Sequence, residues 1–369
     1  MSGISRKRKD DMANVFIIGL GLIGGSLGLA LRGNPQVKTV SGFDIDPQTM
    51  QQAKQIGAID NGVAFTTGTA EADVIIICTP LRFYAEIIEE IKAYLKPGCI
   101  VTDVGSTKQP VMQLFKHIPD HICCIGGHPM AGAEIKGING ADRYLFENAV
   151  YVLTPADNVT RQQLDFLSNL LSATGARIRI MSALLHDRLV ATVSHIPHLS
   201  AVALVHLTEG REEDLMMAAG GFRDTTRIAS STPELWEDIL FSNRDMVLDK
   251  LDEFIAQLTE IKSILEAGDA QAMHEQLSRA KAIRDLIPRV RRGLIPGFSD
   301  IICIVPDQPG IIGSLGLILN QHNINIVDIE ILRVREGDGG TIRLGVPSPD
   351  DAEQAVQALL AHNIKAWVK

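Results

Sequence analysis

The first residues in the sequence that could support chemistry form a glycine-rich loop. Residues 19–24 (GLGLIG) follow an apolar predicted strand and open a predicted helix. In this pattern one glycine permits a tight turn, one lets the backbone approach a pyrophosphate, and one permits close helix–strand packing. The helix N-terminus offers free N–H groups to the phosphates. The sequence therefore predicts a dinucleotide site formed by Gly19, Leu20, Gly21, Ile23 and Gly24.

An acidic residue follows this loop at the spacing expected of a ribose ligand. Asp44 ends the second predicted strand, 20 residues after Gly24. A carboxylate there can accept both ribose hydroxyls of NAD and would repel the 2′-phosphate of NADP. NAD is the predicted cofactor. FAD remains the alternative ligand, although no second flavin motif appears, and Asp44 could also be an ordinary loop acid.

Two further turns follow buried strands, CTP at 78–80 and DVGSTK at 103–108. Ligands of open parallel sheets bind beyond the carboxyl ends of the strands. Thr79, Pro80 and Ser106 are therefore expected beside the nicotinamide. Ser106 could also cap the helix predicted to begin near Gln109.

Histidines supply the candidate proton acceptors. His128, in GGHPMAG at 126–132, is predicted in an irregular turn after an apolar strand. There it could take a proton from a hydroxyl as hydride leaves, or be a purely structural histidine. His195 and His198 are spaced like half a metal site, with His186 and Asp187 as the nearest further ligands. No metal is predicted, because NAD-linked hydride transfer can work with a histidine base alone.

Arginines in GGFRDTTR at 220–227 indicate an anionic substrate. Arg223, Asp224 and Arg227 follow a glycine pair, and a guanidinium binds a carboxylate through two parallel hydrogen bonds. The alternative is an Arg–Asp pair that only holds a loop. Trp236, at the start of a later helix, is expected in the core.

Composition excludes several classes of protein. The chain has 369 residues, 46% hydrophobic and 21% charged, which is typical of a globular protein of two to three domains. A net charge of −9 argues against nucleic acid, and no apolar run approaches the roughly 20 residues of a membrane span. Five cysteines without a C-x-x-C pair favour reduced thiols in a cytoplasm over disulfides or zinc.

Changes in hydrophobic period divide the chain. Residues 1–12 are predicted to be a disordered tail and 13–180 a Rossmann-type α/β domain with a parallel sheet. Residues 181–292 are predicted to form an all-α substrate and dimerisation domain whose apolar stripes favour a homodimer. Residues 299–369 follow the βαββαβ order of a ferredoxin-like module, with the second strand predicted at 324–334.

Together, these motifs resemble the prephenate dehydrogenases of tyrosine biosynthesis that carry a C-terminal ACT domain. The resemblance covers nearly the whole chain beyond Met12. It rests on the glycine loop and on DVGSTK at 103–108, HPMAG at 128–132, SHIPH at 194–198 and GFRDTTR at 221–227.

This resemblance implies NAD-dependent oxidative decarboxylation of prephenate to 4-hydroxyphenylpyruvate. His128 would accept a hydrogen bond from the substrate C4 hydroxyl and draw off its proton, and Ser106 would bind the same hydroxyl. Arg227 would hold a carboxylate, and Ser194 and His198 would line the pocket. An ionic gate over the pocket would comprise Glu134, Asp224 and Arg227.

The resemblance also implies a regulatory site in the ACT domain. L-Tyrosine, the pathway product, would bind there and inhibit the enzyme. Its expected contacts are Asp307, Pro309, Gly310, Ile311 and Asn325. A purely structural dimerisation module is the alternative.

Three other functions compete with this interpretation. Arogenate dehydrogenase differs only in the side chain of its substrate. A non-catalytic nucleotide and amino-acid sensor would have lost His128 or Arg227, and both are present. A β-hydroxyacid dehydrogenase would leave the C-terminal module unexplained.

Overall fold

The computed structural model describes residues 12–132, 137–287, 299–306, 308–335 and 339–368. The chain divides into two compact units, residues 1–287 and 288–369. The predicted fold class is confirmed: the first unit contains a Rossmann-like sheet and a helical region, and the second contains a small four-stranded sheet. The predicted tail lies outside the described residues as far as residue 11.

An eight-stranded sheet forms the centre of the first unit. Its strands are β1 (Ala13–Ile18), β2 (Val37–Phe43), β3 (Asn61–Gly62), β4 (Val74–Ile77), β5 (Ile100–Asp103), β6 (Cys123–Pro129), β7 (Val150–Pro155) and β8 (Arg177–Ile180). Their order is β3-β2-β1-β4-β5-β6-β7-β8. All neighbouring strands are parallel except β6 and β7. The strand order runs from β1 to β3 in one direction and from β4 to β8 in the other, so the switch point at which α/β proteins bind dinucleotides lies between β1 and β4.

Helices cover the sheet and then continue beyond it. In the described part of the first unit they are α1 (Leu22–Leu31), α2 (Pro47–Gln55), α3 (Phe65–Glu71), α4 (Tyr84–Ile91), α5 (Gln109–Phe115), α6 (Arg161–Ser172), α7 (Ala183–Val190), α8 (Ile196–Leu207), α9 (Glu212–Met217), α10 (Gly220–Thr226), α11 (Pro233–Ser242), α12 (Arg244–Ala267) and α13 (Ala270–Asp285).

Strand β1 shows why these residues form a sheet covered on both faces. Val15 and Ile17 belong to one buried cluster, while Phe16 and Ile18 belong to another on the opposite face. Successive side chains of a strand point to opposite faces, so a strand buried on both sides has an unbroken apolar sequence. This layering fixes the carboxyl ends of β1, β4, β5 and β6 at one edge of the sheet.

The end of the sheet differs from the prediction. The sheet is mixed rather than parallel, because β7 pairs antiparallel with β6 and places Val152 opposite His128. His128 therefore lies within β6 and not in an irregular turn. The glycines that suggested a turn have another cause: a Cβ on Gly127 would lie 2.3 Å from the Asp103 carbonyl oxygen, so the close approach of β5 requires glycine.

Helices α7 and α8 are joined by a π-helical turn at Ala191–His195, in which the Ile196 N–H donates to the Ala191 carbonyl, five residues back. The combined segment Ala183–Leu207 is long and apolar enough to cross a bilayer by length and composition. Buried helices of globular proteins pass the same test. Within this segment His186, Asp187, His195 and His198 are buried.

The second unit has the predicted βαββαβ order. Its elements are β9 (Ser299–Val305), α14 (Ile311–Gln321), β10 (Asp328–Arg335), β11 (Gly339–Val346), α15 (Pro349–Ala361) and β12 (Lys365–Val368). The sheet order β10-β11-β9-β12, with all neighbours antiparallel, is that of a ferredoxin-like module. Its second strand begins at Asp328 and not at residue 324, so Asn325 precedes the strand.

Candidate active site

The glycine loop lies between the end of β1 and the start of α1. Gly19 has a φ of +92°, and a Cβ on Gly24 would lie 2.0 Å from the Gly19 carbonyl oxygen. Gly21 differs, because a Cβ there would have no other heavy atom of the described chain within 4 Å beyond its sequence neighbours. Gly21 is also the N-cap of α1 and makes no side-chain capping bond. The loop thus leaves open space in front of a helix N-terminus, which suits a pyrophosphate.

Asp44 is fixed beside this loop. Its carboxylate accepts the Leu20 N–H at 2.8 Å and the Asp46 N–H at 3.0 Å. A carboxylate has about four acceptor positions, so two remain for ribose hydroxyls. Ile23 lies in the first turn of α1, and Thr79 and Pro80 follow β4 at the same edge of the sheet. These residues fit NAD.

His128 is the first member of a buried hydrogen-bonded chain. Its Nδ1 lies 2.8 Å from Nε2 of His186, whose own Nδ1 lies 2.7 Å from Oδ1 of Asp187. The two imidazole rings meet edge to face, with centroids 5.0 Å apart. His186 and Asp187 are buried in α7, while His128 is partly exposed at the carboxyl end of β6. Helix α7 therefore holds the ring of His128 in place.

Asp187 also holds the turn that carries Ser106. Its two carboxylate oxygens accept the Lys108 N–H at 2.7 Å and the Gln109 N–H at 2.8 Å. The N-cap of α5 is Lys108, without a side-chain cap of its own, so the capping role considered for Ser106 is wrong and Asp187 performs it from another helix. Ser106 itself is partly exposed at the same sheet edge as His128.

A buried ion pair connects β5 to the strand of His128. Lys108 Nζ lies 2.5 Å from the Asp103 carboxylate and 2.6 Å from the Gly127 carbonyl. Asp103 accepts the N–H of Gly105 at 2.7 Å and that of Gly127 at 2.9 Å. Both charges are fully buried and hydrogen-bonded, so removing either partner would leave the other uncompensated. The pair fixes the backbone on both sides of the site.

The pKa of His128 lies well below its usual range. Burial is the main cause, and the nearby His186, Lys108 and His195 act in the same direction. His128 is therefore neutral at pH 7, with one ring nitrogen able to accept a proton.

A second pair of histidines packs against an aromatic ring. His198 stacks on Trp236, with ring centroids 3.5 Å apart and an interplanar angle of 7°. Its Nδ1 is buried and has no hydrogen-bond partner among the described residues. His195 Nδ1 lies 3.3 Å from the Asn243 amide nitrogen, and that amide also donates to the Asp187 carbonyl. Trp236, expected in the core, is partly exposed and supports the ring of His198.

The residues considered as metal ligands have other partners. Within the described ranges, no group of three or more His, Cys, Asp or Glu side chains is arranged to hold a metal ion. His186 instead contacts His128, and Asp187 contacts His186.

The remaining predicted substrate residues lie around α8. Ser194 lies within the π-helical turn, partly exposed. Asp224 is in α10, and Arg227 begins a short 3₁₀ turn, Arg227–Ser230, that packs against α8; both side chains are exposed. Glu134 lies outside the described residues.

Three family models match successive parts of the chain. The family models that match are the nucleotide-binding domain of prephenate dehydrogenase (residues 27–180), its dimerization domain (182–279) and the ACT domain (299–362). Prephenate dehydrogenase of Bacillus subtilis is 39% identical over 354 residues, which are 94% of this chain and 95% of the relative. The chain belongs to the prephenate dehydrogenase family. It is an NAD-dependent oxidoreductase.

Solved structures of this family align with about three quarters of the chain. Prephenate dehydrogenase of Aquifex aeolicus, in complex with hydroxyphenyl propionate and NAD+, aligns with a TM-score of 0.69 and 31% identity, covering 75% of this chain and 99% of that one. Arogenate dehydrogenase of Synechocystis aligns with a TM-score of 0.67 and 30% identity, covering 74% and 99%. The similar structures thus include both a prephenate dehydrogenase and an arogenate dehydrogenase.

Sequence reasoning missed part of this site. The sequence suggested His186 and Asp187 only as metal ligands, and it suggested no role for Lys108 or Asn243. Asp187 carried a usable signal, since a His–Asp pair that becomes buried needs further polar partners.

Two glycines of the loop, Gly21 and Gly24, permit a direct test of the nucleotide site. We expect Gly21→Ala to leave the melting temperature nearly unchanged, since its Cβ meets open space, and to raise the KM for NAD+ about tenfold or more by crowding the phosphates. Gly24→Ala is the matched control and should lower the melting temperature, because overpacking costs about 1–3 kcal/mol. A KM for NAD+ unchanged in Gly21→Ala would contradict the assignment.

Burial of His195 predicts a loss of stability in acid. Desolvation lowers its pKa to about 4, so between about pH 6.5 and pH 4 the unfolded chain binds a proton that the folded chain does not. Stability should therefore fall as the pH falls through this window, by about 1.4 kcal/mol per unit for one histidine. Thermal unfolding from pH 7 to pH 4.5 should show a shallower decline for His195→Asn. An equal decline in both proteins would show that His195 does not contribute.

Proposed function

We propose that this enzyme converts prephenate to 4-hydroxyphenylpyruvate and CO2 in L-tyrosine biosynthesis. The observation that supports it most directly is the position of His128, a neutral, partly exposed imidazole at the sheet edge where the glycine loop and Ser106 also lie. NAD+ bound at that edge supplies the acceptor for the hydride that leaves C4.

His128 acts as the proton acceptor of this reaction. It takes the proton of the C4 hydroxyl as the C4–O bond becomes a carbonyl. The same proton returns to that oxygen when the bond to the ring carboxylate breaks and its electron pair makes the ring aromatic. Because aromatisation drives this second step, the protein mainly has to orient the substrate and supply a base.

The remaining side chains orient the substrate. Ser106 hydrogen-bonds the C4 hydroxyl, and Arg227 binds a substrate carboxylate through its guanidinium fork. His198 and Ser194 line the pocket, and the unpartnered Nδ1 of His198 supports a polar contact with substrate. We further propose that Asp224 and Arg227 contribute to an ionic gate over the pocket; Glu134, the third member that the resemblance implies, lies outside the described residues.

The deciding experiment measures NADH formation by absorbance with prephenate and with arogenate in parallel. We expect turnover with prephenate and NAD+ and much lower activity with NADP+, because Asp44 would repel a 2′-phosphate. Turnover of arogenate but not of prephenate would show that arogenate is the substrate. Binding of NAD+ without turnover of either compound would favour the alternative function, a non-catalytic nucleotide and amino-acid sensor.

We also propose a homodimer formed by the helical region. In the single chain, α12 exposes apolar side chains that recur along the helix, and the π-helical segment adds another. These are Leu248, Ile255, Leu258, Leu265 and Val193. Contiguous apolar surface of this kind marks an interface, and the matching family model describes a dimerization domain. A monomer by light scattering at assay concentration would contradict the proposal.

The ACT domain is proposed to bind L-tyrosine and to inhibit the enzyme by feedback. Gly310, with a φ of +86°, is the N-cap of α14 and makes no side-chain cap, so backbone N–H groups there can receive a carboxylate. Pro309 and Ile311 are the sequence neighbours of Gly310, Asn325 precedes β10, and Asp307 lies outside the described residues. Tyrosine titrated into the assay should lower the rate, and Gly310→Ala should weaken this inhibition.

A cytoplasmic location is proposed on the basis of the thiols. All five cysteines are free, and four of them are buried. Burial raises the pKa of Cys99 to about 12 and that of Cys123 to about 11, which keeps these thiols unreactive.

A further inference from the structure

The chain His128–His186–Asp187 connects the proposed proton acceptor to a buried carboxylate. We propose that His186 and Asp187 are positioning residues that keep the proton of neutral His128 on Nδ1 and leave Nε2 to accept the substrate proton. This inference rests on the proposed function, because it assigns roles within the same reaction.

The hydrogen-bond donors and acceptors of Asp187, His186 and His128 determine the tautomers of the two histidines. Both carboxylate oxygens of Asp187 accept backbone N–H groups, from Lys108 and Gln109. Oδ1 of Asp187 is therefore an acceptor for His186 as well, so Nδ1 of His186 must carry a proton. In a neutral imidazole the other nitrogen is then bare, and Nε2 of His186 must accept from Nδ1 of His128. Nε2 of His128 is left with a free lone pair.

The opposite arrangement requires an additional proton. For His128 to carry its proton on Nε2, His186 would have to be a cation that donates from both nitrogens. The arrangement of three hydrogen-bonded groups described above needs no such extra proton. A His128 protonated on Nε2 could donate to a hydroxyl oxygen but could not take up the hydroxyl proton.

The hydrogen-bonded series His128–His186–Asp187 can also disperse the positive charge that forms during the reaction. When the substrate O–H bond breaks and an N–H bond forms at Nε2, His128 becomes a cation. Its Nδ1–H then donates more strongly to His186, whose Nδ1–H donates to the carboxylate of Asp187. The proton returns to the substrate oxygen as the ring becomes aromatic, so no proton is gained or lost overall.

Two substitutions of His186 separate positioning from packing. His186→Gln can place an amide oxygen near the position of Nε2 and so keep an acceptor for His128, whereas His186→Phe keeps an aromatic ring without an acceptor. With prephenate, we expect kcat to fall about 10²-fold in His186→Phe and less than about tenfold in His186→Gln, with the KM for NAD+ unchanged in both. Equal losses in the two variants, or no loss in His186→Phe, would overturn the proposal.

A measurement without turnover tests the tautomer directly. In the full-length protein with ¹⁵N-labelled histidine, nitrogen chemical shifts show which ring nitrogen of His128 carries the proton, and His128→Asn identifies its signals. We expect Nδ1–H in the native protein and a shift towards Nε2–H in His186→Phe. Native Nε2–H would overturn the proposal. Native Nδ1–H in a protein that turns over neither prephenate nor arogenate would refute the proposed function and leave the tautomer assignment standing.

Discussion

Replacement of His128 by Asn is expected to lower kcat for prephenate about 10²- to 10⁴-fold while the dissociation constant for NAD+ stays within about twofold. Asparagine cannot take up a proton at neutral pH, and it is too short to reach both His186 and a substrate hydroxyl. The glycine loop and Asp44 are built from β1, α1 and β2, so they do not depend on this side chain.

The measurement combines steady-state NADH formation with NAD+ binding by fluorescence quenching. His121→Asn is the matched control, because His121 is exposed just before the same strand β6. It should behave like the native protein. Turnover of His128→Asn at close to the native rate would remove His128 from the reaction.

Replacement of Arg227 by Ala is expected to raise the KM for prephenate about 10²-fold, with a smaller effect on kcat. Prephenate is a dianion, and the chain carries a net charge of −9, so the overall field of the protein opposes its approach. A local guanidinium must therefore supply the attraction. A charge-assisted hydrogen-bonded pair of this kind contributes about 1.5–3 kcal/mol, which corresponds to roughly 10- to 150-fold in affinity.

Two further variants distinguish the geometry of Arg227 from its charge. Arg227→Lys keeps the charge but loses the planar fork, so its KM should lie between those of the native protein and Arg227→Ala. Arg211→Ala removes another exposed arginine of the helical region, which pairs with Glu209 and Asp214, and should leave the KM unchanged. Equal rises in KM for Arg211→Ala and Arg227→Ala would show that the effect arises from the net charge of the protein and not from a contact between Arg227 and the substrate.

Hydrophobic periodicity was sufficient to predict most of the fold. The unbroken apolar runs of β1 and β4 indicated a doubly covered sheet, and the glycine loop located its first crossover. The run VYVL at 150–153 is itself typical of a strand, but its antiparallel pairing with β6 depends on long-range contacts that periodicity does not encode. For the same reason the strand containing His128 was predicted to end too early.

In the site, too, local motifs were predicted and long-range contacts were not. His128, Ser106 and Asp44 were predicted from local motifs, since their roles depend on their place at strand ends. The contact between His128 and His186 joins residues 58 positions apart in the sequence, and no local pattern encodes it. Asp187 illustrates the same difficulty, because it caps a helix 78 residues away.

The π-helical turn at Ala191–His195 determines which histidines share a face. In a regular α-helix each residue advances about 100°, so nine residues would place His195 about 180° from His186 and twelve would place His198 about 120° away. A π turn absorbs roughly one residue, which reduces these angles to about 80° and 20°. The one extra residue of the π turn thus determines how close His195 and His198 lie to His186 around the helix axis. Deleting one residue there would rotate His195 and His198 away from His186, although all three side chains would be unchanged.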